Sequence, residues 1–141
     1  MSKKIYFAAP LHDPEDQRRN THIVTVLRED KHEIYLPQEY GKWEDLLTMF
    51  GGDATKTRQY LFMMDCHAIQ QAQCVVAYVA REKGPSEGML WEMGYAAGLG
   101  KPVFLLNPMR RWRYNLMPEF GSLMFESLEG LVDHLRKEDF R

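Results

Sequence analysis

The run Cys74 to Ala80 (CVVAYVA) is almost unbroken in its apolar character, and it is too short for a helix of ordinary length. A strand with one wet face alternates apolar and polar residues, whereas a strand that is apolar throughout is buried on both sides. Burial on both sides requires helices above and below a parallel sheet, and this confines the chain to the α/β class.

The segments around this run agree with that constraint. Lys4 to Ala9 (KIYFAA) is a short β-rich run ended by Pro10. Asp13 then offers a helix N-cap with Pro14 at the first helical position, and Ile23, Val24, Val26 and Leu27 form a stripe that ends near Glu29. His32 to Leu36 (HEIYL) reads as a second strand stopped by Pro37. The stretch from Gln38 to Ala54 lacks a clear period and reads as a long loop, of the kind that usually carries function. Helical spacing resumes at Thr55, with Tyr60, Leu61, Met64, Ala68 and Ile69 on one side, and closes at Ala72. After the apolar strand come a polar loop from Arg81 to Gly88, a helix from Met89 to Leu99 ended by Gly100, and a strand from Pro102 to Leu106. A basic, aromatic connection from Asn107 to Pro118 leads to a strand trace at Leu123 to Phe125 and a helix over about Ser127 to Lys137. The alternation predicts a parallel sheet of about five strands with helices on both faces. At 141 residues, the span 1–141 is read as one unit.

Charge and composition exclude several function classes. With 18 basic and 20 acidic residues, the chain carries a formal charge of -2, which argues against the broad basic surface that a nucleic-acid polymer needs. A single nucleotide remains compatible, since one phosphate needs few donors. No apolar run approaches the roughly 20 residues of a membrane span, and MSKKIYFAAP leads into a strand without a signal-peptide layout, so a cytoplasmic protein is expected. Cys66 and Cys74 read as small core residues. The adjacent Cys66 and His67 cannot point the same way on a helix, and neither a metal nor a cofactor is expected.

In a sheet of this kind, ligands bind beyond the carboxyl ends of the strands. That rule selects Pro10 to Asp13, Gln38 to Tyr40 and Gly84 to Gly88, with Tyr6 inside the first strand. Ser86 and Gly88 open a helix whose free N–H groups suit an oxygen-rich ligand. Glu92 follows one turn later; by spacing alone it is either a solvent-facing helix residue or a carboxylate in a pocket, and spacing favours the former. The Gln38 amide offers one donor side and one acceptor side to a base edge. Arg110, Arg111, Trp112 and Arg113 read as a subunit contact or a solvated loop. Trp43, with Met49 and Phe50, is placed to cover a pocket.

Four blocks, KIYFAAP, LFMMDCHAIQQAQCVVAYVA, SEGMLWEMGYAAGLGKPV and YNLMP, resemble the nucleoside 2-deoxyribosyltransferase family in order and spacing across roughly Lys4 to Pro118. The resemblance implies a flavodoxin-like (Rossmann-like) sheet and a homo-oligomer whose sites are completed by a neighbouring subunit. It implies a nucleoside or nucleotide and a free nucleobase as small-molecule partners, and a place in purine and pyrimidine salvage. Glu92, in the context Glu92-Met93-Gly94-Tyr95-Ala96, matches the family's nucleophile. Tyr6 matches a first-strand tyrosine whose hydroxyl lies near that nucleophile, and Asp65 an aspartate that holds the sugar and base and handles a proton. Asn115, followed by Met117 in the NLM motif, matches an asparagine that enters the adjoining subunit's site. A carboxylate suits this chemistry because it steadies the oxocarbenium-like transition state and captures the sugar as an ester.

One position departs from the transferase pattern. Six residues before Glu92, typical transferases have an aspartate that contacts the base, and this chain has Ser86. The related 2'-deoxynucleoside 5'-phosphate N-hydrolases have serine there and turn it toward the phosphate. Those hydrolases also resemble one another in a Gly- and Arg-containing loop after the first strand, where this chain has Asp13, Glu15 and Asp16. The expected activity is therefore transfer of deoxyribose between bases through a deoxyribosyl-Glu92 ester. A 5'-monophosphate N-glycosidase and a nucleotide-binding sensor without turnover are the alternatives.

Overall fold

A computed structural model describes residues 2–141. The strands are β1 (Lys4–Ala8), β2 (Glu33–Tyr35), β3 (Cys74–Tyr78), β4 (Val103–Leu106) and β5 (Leu123–Phe125). The helices are α1 (Pro14–Glu29), α2 (Trp43–Met49), α3 (Ala54–Gln71), α4 (Glu87–Gly98), α5 (Leu116–Gly121) and α6 (Leu128–Leu135), with 3-10 turns at Pro37–Glu39 and Arg110–Tyr114. The five strands form one sheet in the order β2-β1-β3-β4-β5, and every pairing is parallel. This is the flavodoxin-like order, with its reversal between β1 and β3.

Strand alternation divides the core into two layers. Ile5, Phe7, Val76, Phe104 and Leu106 face α1 and α6, meeting Val24, Leu27, Leu131 and Leu135. Tyr6, Ala8, Val75, Ala77 and Leu105 face the opposite way, onto Ile69 of α3 and Met89, Met93 and Ala96 of α4. β3 is buried from Cys74 to Ala77, as its apolar sequence requires, and Tyr78 at its end is half-buried. Lys3 joins the two ends of the chain. Its buried ammonium donates to the Leu135 and Lys137 carbonyls at the end of α6 and lies 4.6 Å from the Phe140 ring centre.

Two connections that read as loops contain helices. The 38–54 stretch includes α2, which has no side-chain cap and buries only Leu46, so it shows no apolar stripe in the sequence. The 107–118 connection includes a 3-10 turn and the start of α5, a helix that buries none of its residues. Trp112 of that turn is buried, while Arg113 pairs with Glu126 at 2.7 Å. Among the described residues, no helix is long and apolar enough to cross a membrane.

Candidate active site

The site begins with a tyrosine in the wrong place for an ordinary core. Tyr6 sits mid-strand in β1 and is fully buried, and its hydroxyl donates to Oε2 of Glu92 on α4. The helix is placed to make this contact by its own residues. Ser86 caps its start by accepting from the Met89 N–H, and Met89, Met93 and Ala96 seat it on the sheet. Glu92 falls on the flank of that apolar stripe, turned toward α3. There Phe62, Asp65, Cys66 and Ile69 of α3 join Glu87, Gly88, Trp91 and Glu92 of α4 around a cavity of about 440 Å³. The volume is in the range of small-molecule sites.

Burial controls the charge of these groups. Desolvation pushes the Glu92 carboxyl up to about 7; the Tyr6 hydrogen bond acts against this, and the Asp65 charge adds to it. Desolvation likewise pushes Asp65 up to about 6, opposed by the Tyr35 hydroxyl that faces it. Burial, and then the Glu92 charge, raise Tyr6 far above the usual phenol value, so Tyr6 is a neutral donor. Two carboxyls whose ionisation is brought near neutrality in one cavity are suited to dividing a nucleophile's work from an acid's.

Tyr35 escaped the sequence reading. It lies directly across from Tyr6 in the β1–β2 register, its ring stacks on Tyr6 at 5.5 Å and 13°, and Tyr40 stacks on its other side at 4.3 Å and 2°. The signal was present in strand parity, because parallel partners share a face and an inward Tyr6 makes Tyr35 inward as well. Cys66, expected in the core, is half-buried and lines the cavity instead. Cys74 is fully buried, and burial pushes its thiol up to about 12. The cavity's aromatic side is Phe62 edge-on to Trp91 at 5.4 Å, with Tyr95 stacked behind Trp91 at 5.2 Å. Trp43 does not line this cavity, and Phe50 packs against Tyr60 at 5.3 Å.

The other expected residues sit elsewhere. The Gln38 amide is taken up by α1: it accepts from Asn20 at 3.0 Å and donates to the Gln17 carbonyl at 3.0 Å, away from Glu92. Asn115 caps α5 by accepting from the Met117 N–H, and both residues line a separate groove with Leu90, Gly94 and Trp112. Within one chain the structure therefore brings together Tyr6, Asp65, Gly88 and Glu92, sets Ser86 at the adjoining helix cap, and leaves Gln38, Asn115 and Met117 outside. His12 is exposed at the first loop. Among the described residues, no group of three or more His, Cys, Asp or Glu is arranged to hold a metal ion.

Comparison with known proteins places this geometry. The model of the nucleoside 2-deoxyribosyltransferase family matches residues 5–133. The chain belongs to that family. The 5-hydroxymethyl-dUMP N-hydrolase of Rattus norvegicus is 29% identical over 133 residues, covering 94% of this chain and 72% of the relative. A solved 2-deoxyribosyltransferase from Bacillus psychrosaccharolyticus superposes with a TM-score of 0.69 at 23% identity, over 94% of this chain and 91% of the other. The CMP N-glycosidase of Clostridium botulinum superposes at 0.54 and 17% identity, over 96% of this chain and 100% of the other. These structures share the fold. As a member of the nucleoside 2-deoxyribosyltransferase family, the chain is an enzyme of the N-deoxyribosyltransferase and N-glycosidase group, which acts on nucleosides or nucleotides.

Proposed function

We propose that this enzyme is a nucleoside 2-deoxyribosyltransferase with Glu92 as its nucleophile. The observation that carries the reading is the Tyr6–Glu92 hydrogen bond, which holds a half-buried carboxylate at a cavity shared with Asp65. Glu92 attacks the anomeric carbon of a 2'-deoxynucleoside; a C–O bond forms as the C–N bond breaks, and the sugar is held as a glycosyl ester. The leaving base takes up a proton, and protonated Asp65 is the donor within the cavity. A second base then attacks the same carbon, its nitrogen losing a proton to Asp65, and Glu92 is released as carboxylate. Tyr6 fixes the carboxylate while positive charge develops on the sugar.

The cavity walls support transfer over hydrolysis. Phe62, Ile69 and Trp91 present apolar surface on which a base stacks and which holds water poorly, so an incoming base competes well with water for the ester. Asn115 and Met117 are assigned to a neighbouring subunit's site. Supporting this, Tyr114, Leu116, Met117 and Phe120 are 92%, 68%, 76% and 79% exposed, a contiguous apolar group of the kind that marks an interaction surface.

A second reading, N-glycosidic hydrolysis of a 2'-deoxynucleoside 5'-monophosphate, is favoured by Ser86 at the α4 cap and by the activity named for the rat relative. Incubation of the enzyme with 2'-deoxyinosine, and separately with a 2'-deoxynucleoside 5'-phosphate, each with and without adenine, separates the two. New deoxyadenosine only when adenine is present establishes the transferase. Release of base from the 5'-phosphate regardless of adenine establishes the hydrolase.

A further inference from the structure

The chain leaves β1 into α1 on one face of the sheet and β3 into α4 on the other, and the gap between those two loops is where open α/β sheets receive ligands. One side chain spans that gap. Lys83, in the β3–α4 loop, donates to Asp13 at 2.8 Å and to Asp16 at 3.1 Å at the start of α1. The Asp16 side chain is only 4% exposed and is also held by Arg19 at 2.8 Å, whose guanidinium lies 4.3 Å over the Tyr78 ring. Two carboxylates and two cations thus close into a neutral cluster. Arg18 stands apart on the flank of α1, beside Gln17, Thr21 and Gln38. Glu87, in the first turn of α4, lines the Glu92 cavity itself.

We propose that this cluster selects the 5' end of the substrate: Lys83, held by Asp13 and Asp16, together with Glu87 admits a 5'-hydroxyl and rejects a 5'-phosphate. The inference rests on the assignment of Glu92 as nucleophile. A sugar with its anomeric carbon at Glu92 and its 5' carbon toward the start of α4 spans about one helical turn, roughly 5.4 Å, to Gly88. Its 5' substituent then meets Ser86, Glu87 and the Lys83 loop. The positive end of the α4 dipole would attract a phosphate there, but Glu87 already places a carboxylate at that end. Lys83 and Arg19 are committed to acids, and withdrawing Lys83 to bind a phosphate weakens the pairing of the nearly buried Asp16. A 5'-hydroxyl is neutral and asks only for a partner such as the Ser86 hydroxyl. Donor choice is in this way decided apart from whether base or water accepts the sugar.

The test compares kcat/KM for a 2'-deoxynucleoside and its own 5'-monophosphate, on wild type and Asp13→Asn, at low and high salt. Asp13 is mostly exposed and makes no side-chain cap, so the variant keeps its fold. Wild type is expected to prefer the nucleoside by about tenfold or more, a difference typical of one unfavourable charge at a partly shielded site. Asp13→Asn is expected to narrow that preference about threefold through the KM of the monophosphate, an effect that fades as salt rises. Equal or better turnover of the monophosphate by wild type overturns the proposal, as does a preference that Asp13→Asn leaves unchanged. Either of these results, with the nucleoside still turned over, leaves the Glu92 assignment standing. Release of base from neither substrate overturns the Glu92 assignment, and this inference with it.

Discussion

Tyr6 and Glu92 meet across 86 residues of chain: a fully buried phenol from the middle of the first strand donates to a half-buried carboxylate from the fourth helix. The bond does two things at once. It orients one carboxylate oxygen, and it partly offsets the burial that would otherwise keep Glu92 protonated.

Replacement of Glu92 separates chemistry from stability. Glu92→Ala and Glu92→Gln are expected to lower cleavage of the N-glycosidic bond by about 10³-fold or more, since the covalent step proposed for Glu92 is lost outright. Glu92 is neutral in the folded and unfolded chain below its ordinary value near 4.5, and its stabilising preference for the neutral form is lost as pH rises through about 7. Glu92→Gln is therefore expected to raise the melting temperature by about 2–5 °C at pH 8 and to leave it unchanged at pH 4. Thermal denaturation at the two pH values, beside chromatography of products, checks both.

The pair of cavity carboxyls predicts a narrow pH–rate profile. On the proposed mechanism attack needs Glu92 ionised and base departure needs Asp65 protonated, so kcat/KM is expected to rise and fall around the interval between about 6 and 7 where the pair titrates. Asp65→Asn is expected to remove the alkaline limb and lower the maximum by about 10²-fold. An Asp65 that only orients the sugar would leave that limb in place.

Two tyrosines tune the two carboxyls separately. Tyr6→Phe removes the donor to Glu92, so its ionisation moves to higher pH; because Glu92 titrates above Asp65, the alkaline limb moves with it, and the maximum falls by about tenfold as less Glu92 is ionised while Asp65 is protonated. Tyr35→Phe removes the donor facing Asp65, the lower of the two groups, and is expected to move the acid limb upward instead. Full pH profiles of the two variants check the assignment; displacement of the same limb in both would contradict it.

The proposed sharing of sites between subunits predicts complementation. Glu92→Ala and Asn115→Ala are each expected to be nearly inactive. Mixed and allowed to exchange as a dimer, they are expected to recover about one quarter of wild-type activity, because half of the dimers pair the variants and one site in each such dimer is intact. No recovery despite demonstrated exchange places Asn115 in its own chain's site or in none.

Much of the architecture was legible because burial wrote it into the residues. Cys74 to Ala80 carries no polar side chain but the Tyr78 hydroxyl, so its burial on both faces was legible, and Asp13-Pro14 and Ser86 marked the starts of α1 and α4. What stayed hidden depends on contacts between distant segments. α2 and α5 bury one residue and none, so neither carries the apolar stripe that periodicity detects. Glu92 next to bulky neighbours reads as a surface helix residue until α3 is packed beside it, and only the motif around it favoured the pocket. Tyr35 becomes a site residue once β1 and β2 are paired in register, and Gln38 ceases to look available once Asn20 of α1 is set against it.

The parallel arrangement has a consequence for how the enzyme comes into being. Neighbouring strands running the same way are joined only by long crossovers, so β1 meets β3 after the intervening helices are in place, and α4 docks later still along the chain. Helices α1 and α3 are long enough to form part of their structure locally, whereas the partnership of Tyr6 and Glu92 exists only when the central sheet is assembled. During refolding, the helical signal in circular dichroism is expected to precede the return of catalysis. Activity is thus a gauge of completed assembly, and a chain arrested short of it has secondary structure but no chemistry.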